Sequence, residues 1–144
     1  MAEEQLVVFK LGTEEYAVPI FEVREIIRYN GATKLPNTPM YMEGIINLRG
    51  KVVPVINIAN RFGQSFAMGN EPKVIIIEGS TQDIGIIVNE VTEVLRIADN
   101  HIEPPPTSAS STYIRGIGKI KERLLILLNM KNLFSEQELN SLTQ

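Results

Sequence analysis

LVVFKLGTEEYAVPIFEVREIIR, residues 6–28, and VIIIEGSTQDIGIIVNEVTEVLR, residues 74–96, overlay without a gap at a shift of 68 positions. The apolar pattern matches almost throughout, and five of the 23 pairs are identical: Thr13/Thr81, Glu22/Glu90, Val23/Val91, Glu25/Glu93 and Arg28/Arg96. A second block follows at a shift of 72, where YMEGIINLRGKVVPVINIANRF (residues 41–62) lies over YIRGIGKIKERLLILLNMKNLF (residues 113–134). It shares Tyr41/Tyr113, Gly44/Gly116, Ile45/Ile117, Asn57/Asn129, Asn60/Asn132 and Phe62/Phe134. Two ordered blocks at nearly one offset read as an internal duplication, so the chain is expected to be two similar halves in tandem.

Each half reads as strands. Residues 6–11 and 74–78 are short runs rich in β-branched residues, and residues 16–20 and 84–88 return as their hairpin partners. Residues 23–28 and 91–97 are ambiguous. Val23, Ile26 and Ile27 fit helical spacing, while the branched content and short length suit a strand after a tight turn. Prolines bar regular structure from the loops LPNTP and IEPPPTSASST. Each half then closes with a hairpin, residues 44–48 to 52–57 and 116–120 to 124–129, and a short helical tail. About five strands per half makes a mainly β fold of two tandem five-stranded, SH3-like barrels sharing a hydrophobic core. One domain over residues 1–144 results, with barrel halves at 5–66 and 73–134, a linker around 64–72, and a C-terminal helix and tail at 135–144. The helix is expected because Ser135 and Glu138 have capping-box spacing.

Composition narrows the function. A chain of 144 residues that is 44% hydrophobic and 22% charged is an ordinary folded domain, and half that length would bury too little surface to be comfortably stable alone. Its net charge of -3 gives no long-range attraction for nucleic acid. Without cysteine there is no disulfide, thiolate metal site or thiol nucleophile. The start, MAEEQ, lacks the basic and apolar regions of a secretory signal. No apolar run approaches the roughly 18 residues of a membrane span, and a cytoplasmic protein is the expectation.

Catalytic parts are few. The single histidine, His101, lies in ADNHIEPPP with no GxSxG, HExxH or cysteine partner, and it reads as a loop residue. Glu22/Glu25 and Glu90/Glu93 would need burial to serve as acids or bases. Their recurrence at matched positions instead suggests two solvated turns. Lys119, Lys121 and Arg123 alternate along the last hairpin, either as a solvated face or as a surface for an acidic partner. A nucleic-acid-binding barrel is the alternative function, but it favours exposed aromatics interleaved with basic residues, which are scarce here. Neither enzyme activity nor a cofactor or metal is expected.

The hairpin GIINLRGKVVPVINI, residues 44–58, is duplicated as GIGKIKERLLILLNM, residues 116–130, with Lys121 and Glu122 in place of Arg49 and Gly50. The hairpin pattern therefore does not demand an arginine at its turn, which points to a role for Arg49 special to the first half. Across residues 5–142 the chain resembles the CheW family of bacterial chemotaxis coupling proteins. LVVFKLGTEEYAVPIFEVREI, LPNTPMYMEGIINLRGKVVPVINI, DIGIIVNEVTEVLRI and YIRGIGKIKERLLILLNMKNLF occur in family order and spacing. The resemblance implies a non-enzymatic scaffold of two five-stranded barrels. It would couple the cytoplasmic tips of transmembrane chemoreceptors to the regulatory domain of the histidine kinase CheA, and be recruited to receptor arrays at the inner face of the membrane. By motif, the implied receptor-binding positions are Val23, Glu25, Gly44, Asn47, Arg49 and Gly85, lining a groove between the barrels; the kinase contacts are not placed residue by residue. A groove floor of Gly44, Gly85 and Val23 would admit a receptor helix closely, with Arg49 fixing its register or pairing internally with Glu25. The chain departs from the family pattern at Asn57 and Asn89, where aspartate is common, which bears on any salt-bridge account of Arg49.

Overall fold

The computed structural model describes residues 2–61, 71–79, 82–106 and 114–130. The first half carries β1 (Glu3–Leu11), β2 (Glu14–Pro19), β3 (Val23–Arg28), β4 (Met42–Leu48), β5 (Lys51–Asn57) and one helical turn, α1 (Ile58–Arg61). The second carries β6 (Lys73–Ile77), β7 (Ile84–Val88), β8 (Glu90–Ala98), β9 (Ile102–Glu103), β10 (Ile114–Ile120) and β11 (Arg123–Leu128). The expected C-terminal helix lies outside the described residues, as does most of the expected linker. The expected loop IEPPPTSASST opens instead with the two-residue strand β9, just ahead of its prolines, where Ile102 and Glu103 retain the backbone N–H that proline lacks.

Two sheets form, in the orders β8-β1-β2-β11-β10-β9 and β3-β6-β7-β5-β4. Sheet membership cuts across the sequence boundary expected between residues 66 and 73. Strands β1 and β2 of the first half lie in the sheet built by β8 to β11, while β6 and β7 of the second half lie with β3, β4 and β5. The exchange is reciprocal and follows the repeat residue by residue. Leu6 opposite Leu95 in β1–β8 answers Val74 opposite Ile27 in β6–β3. The parallel pairs do the same, Leu127 opposite Ala17 and Val55 opposite Gly85.

The exchange explains why β1 and β6 are apolar on both faces. Val7 and Phe9 of β1 meet Ile75 and Ile77 of β6 in one shared core, joined by Tyr16, Val18, Ile84 and Ile86. The alternate residues Leu6 and Val8 turn inward to Leu125 and Leu127, and Val74 and Ile76 turn to Val53 and Val55. A strand covered on two sides must be apolar without alternation. Ring stacking of Phe9 on Tyr16, with centroids 6.0 Å apart, adds to the shared core.

The ambiguous segments are strands β3 and β8. A bulge between Val23 and Glu25 in β3 has its counterpart opposite Val8 and Phe9 in β8. The extra residue puts Val23 and Ile26 on one face and Glu25 and Ile27 on the other, so a strand shows the three-residue spacing of a helix. Among the described residues, β3 and β4 do not pair by a ladder, leaving a seam. An isolated bridge joins Thr33, in the loop that follows β3, to Ile45 of β4, and the Tyr29 hydroxyl donates to Glu43 at 3.0 Å. Burial first, then that carboxylate, pushes the Tyr29 hydroxyl up to about 12, so it stays a donor throughout the neutral range.

Candidate functional site

The same seam holds the most polar of the expected site residues. Glu25 projects from β3 and Arg49 from the β4–β5 turn, and the two form a forked ion pair across the gap. Arg49 Nη1 donates to Glu25 Oε1 at 3.2 Å, and Nη2 donates to Oε2. The Arg49 side chain is 70% exposed and that of Glu25 30%. Hydrogen bonding by Arg49 holds the Glu25 carboxyl below the usual carboxylate range, against the opposing effect of desolvation. An exposed pair of this kind adds little to stability, so the guanidinium is best understood by what its outward donors can reach.

The turn itself consists of Arg49 and Gly50 between the paired residues Leu48 and Lys51. Both have positive φ, 52° and 88°, the backbone of a hairpin turn matched to strand twist. Asn47 Oδ1 accepts the Gly50 N–H at 2.8 Å. In the duplicate hairpin Lys121 also has positive φ, 55°, whereas Glu122 is not among the positive-φ residues. A left-handed residue at the first turn position is thus common to both copies, and glycine is needed only where the second position is left-handed as well.

The other three expected residues have different placements. Val23 is half-buried at the margin of the shared core. Gly44 is buried, and a Cβ there would lie 2.4 Å from the Thr33 carbonyl oxygen. Gly85 is buried too, and a Cβ would meet Val74 Cγ1 at 2.7 Å, with Ile76 and Val55 close by. These glycines face backbone and the inside of the second sheet, so neither presents a surface to a partner. Gly44 permits the segment at Thr33 to bridge β4, and Gly85 permits β7 to close on Val74.

Asn57 and Asn89 are backbone acceptors. Asn57 Oδ1 takes the Asn60 N–H at 3.2 Å, capping α1, and Asn89 Oδ1 takes the Gly12 N–H at 2.9 Å. An amide oxygen fills these places as a carboxylate would, and the partner of Arg49 is Glu25.

One cluster escaped the sequence reading. Arg123, at the start of β11, donates to Glu15 from Nε at 3.1 Å and from Nη2 at 2.7 Å, and Nη2 also reaches Glu93 at 2.7 Å. Arg123 holds the Glu15 carboxyl low, mainly through these hydrogen bonds. The signal was the repetition of Glu25 as Glu93: each copy neutralises that carboxylate with an arginine, taken from the turn in one and from the strand in the other. Lys119 pairs with Glu103 at 2.9 Å. Two of the three alternating cations are therefore engaged by carboxylates instead of forming a common basic face. His101 is exposed in the 3-10 turn Asp99–His101.

Comparison with known proteins places the whole arrangement. A model of the CheW-like domain matches residues 5–138. The Chemotaxis protein CheW of Klebsiella aerogenes is 36% identical over 140 residues, covering 94% of this chain and 84% of that one. The Probable chemotaxis protein CheW of Rhizobium etli is 37% identical, covering 94% and 90%. The crystal structure of the scaffolding protein TtCheW from Thermoanaerobacter tengcongensis superposes with a TM-score of 0.88 at 38% identity, covering 95% of this chain and 96% of that one. Sequence and overall fold agree over nearly the full length, and the chain belongs to the CheW-like domain family.

Proposed function

We propose that this protein is a non-enzymatic scaffold of chemotaxis signalling that joins the helical cytoplasmic tip of a chemoreceptor to the regulatory domain of the histidine kinase CheA. The observation that carries the receptor half of this reading is the Arg49–Glu25 pair, exposed at the seam between β3 and β4. A guanidinium has five donors in a rigid fork. Glu25 occupies the inner side, and the outer donors are free to meet carboxylates or terminal carbonyls of a docked helix.

The same elements supply apolar surface. Val52, opposite Asn47 in the β4–β5 ladder, is 65% exposed, and Ile26, on the face of β3 opposite to that of Glu25, is 39% exposed. An amphipathic helix laid against Val52 and the Arg49 turn buries part of its apolar stripe there while Arg49 sets its register. Val23, Glu25, Asn47 and Arg49 form or support the contact, and Gly44 and Gly85 act through the backbone shape they allow. Kinase binding is assigned to other surfaces of the two sheets. Membrane association then comes through the receptors; no helix among the described residues is long and apolar enough to cross a membrane.

Co-sedimentation with receptor-tip fragments and with a kinase regulatory domain, singly and together, tests the reading. Binding to each alone, and a ternary complex with both, is expected. Binding to neither would sink it.

A further inference from the structure

Asn47 does not need to touch a partner to matter for partner binding. The β4–β5 turn places a non-glycine residue, Arg49, at φ 52°, a region that L-residues enter at some cost. In a two-residue turn the N–H of the second central residue lies outside the strand ladder. Here that N–H belongs to Gly50, and Asn47 Oδ1 accepts it at 2.8 Å. The bond ties the strand side of the hairpin to its tip, and the tip carries the guanidinium that bridges to Glu25.

The duplicate hairpin provides an internal comparison. Lys119 stands at the position of Asn47, and its ammonium group is directed to Glu103 at 2.9 Å. Its turn keeps the left-handed residue Lys121 but not a second one at Glu122. The side chain that accepts from the turn and the turn with two left-handed residues thus occur together in one copy and are both missing from the other. From this coincidence we infer that Asn47 is a positioning residue for Arg49, acting on receptor binding by fixing the turn instead of contacting the receptor. The inference rests on the docking face described above.

Titration calorimetry of a receptor-tip fragment into the full chain separates the possibilities. The set comprises wild type, Asn47→Ala, Asn47→Asp, Arg49→Ala and the double variant Asn47→Ala/Arg49→Ala, each first checked for a native NMR spectrum. Loss of the acceptor is expected to weaken binding about fivefold, the scale of one hydrogen bond. Asn47→Ala made on top of Arg49→Ala should then change affinity by less than about twofold, because two residues acting in series are not additive. Asn47→Asp, which keeps the acceptor, should stay within about twofold of wild type. A further fivefold loss in the double variant, or an Asn47→Asp protein as weak as Asn47→Ala, overturns the positioning role. An Arg49→Ala protein that binds like wild type overturns the docking face, and this inference with it.

Discussion

Arg49 and Glu25 show how little a surface ion pair reveals until its surroundings are known. Charge complementarity makes their pairing legible in the sequence as one of two options for Arg49, and the structure adds that the pair spans a seam with the Arg49 side chain mostly exposed. Because hydrogen bonding by Arg49 favours the ionised Glu25, the carboxyl titrates below its usual range in the folded chain. The pair's contribution to stability is therefore present above the unfolded-state pKa and lost as pH falls through the lowered folded value. A carboxyl-carbon NMR titration should show the Glu25 pKa rising toward the ordinary range in Arg49→Ala. An identical titration in both proteins would remove Arg49 as the cause. The glycines were harder to read. Gly85 in DIGIIV has the look of a groove floor, yet whether its missing side chain opens a surface or a core depends on which way the strand faces.

Strand facing is decided by elements, and the two sheets offer a controlled comparison. Gly85 in β7 occupies the place that Ala17 holds in β2, since both stand opposite equivalent residues of the parallel neighbour, Val55 and Leu127. Ala17 is fully buried without difficulty, but a Cβ on Gly85 would come within 2.7 Å of Val74 Cγ1. Gly85→Ala should therefore destabilise by about 1–3 kcal/mol, the usual cost of overpacking. Removing the clashing methyl groups with Val74→Ala should return part of that loss in the double variant, giving a favourable coupling in urea unfolding. Strictly additive losses would mean the glycine serves something other than packing against Val74. Strand positions were readable to within a few residues because branched runs and turns mark them. The helical look of residues 23–28 had a concrete source, the bulge at Arg24, which converts a two-residue period into a three-residue one.

At the scale of the molecule, the duplication was visible in the sequence and the exchange was not. A period-two pattern says that a strand has a buried face; it does not say which sheet the strand joins. The hint was the unbroken apolar run in β1 and β6, which fits strands sandwiched between two layers. Since β1 and β2 complete the sheet of the second half, and β6 and β7 that of the first, neither half holds a full sheet. Residues 1–66 and 67–144, produced separately, should each fail to give a dispersed amide spectrum, and mixing them should restore it. A dispersed spectrum from either piece alone would contradict the exchanged topology.

The pseudo-symmetry also supplies the sharpest control for function, because every residue of the proposed receptor face has a counterpart in the other copy. Backbone amide shifts of the full chain can be followed as a chemoreceptor-tip fragment is added. Changes are expected to concentrate on residues 23–26 and 47–52, with the duplicate positions 91–94 and 119–124 little affected. Changes concentrated on the β10–β11 hairpin, with the Arg49 turn silent, would contradict the proposed receptor face.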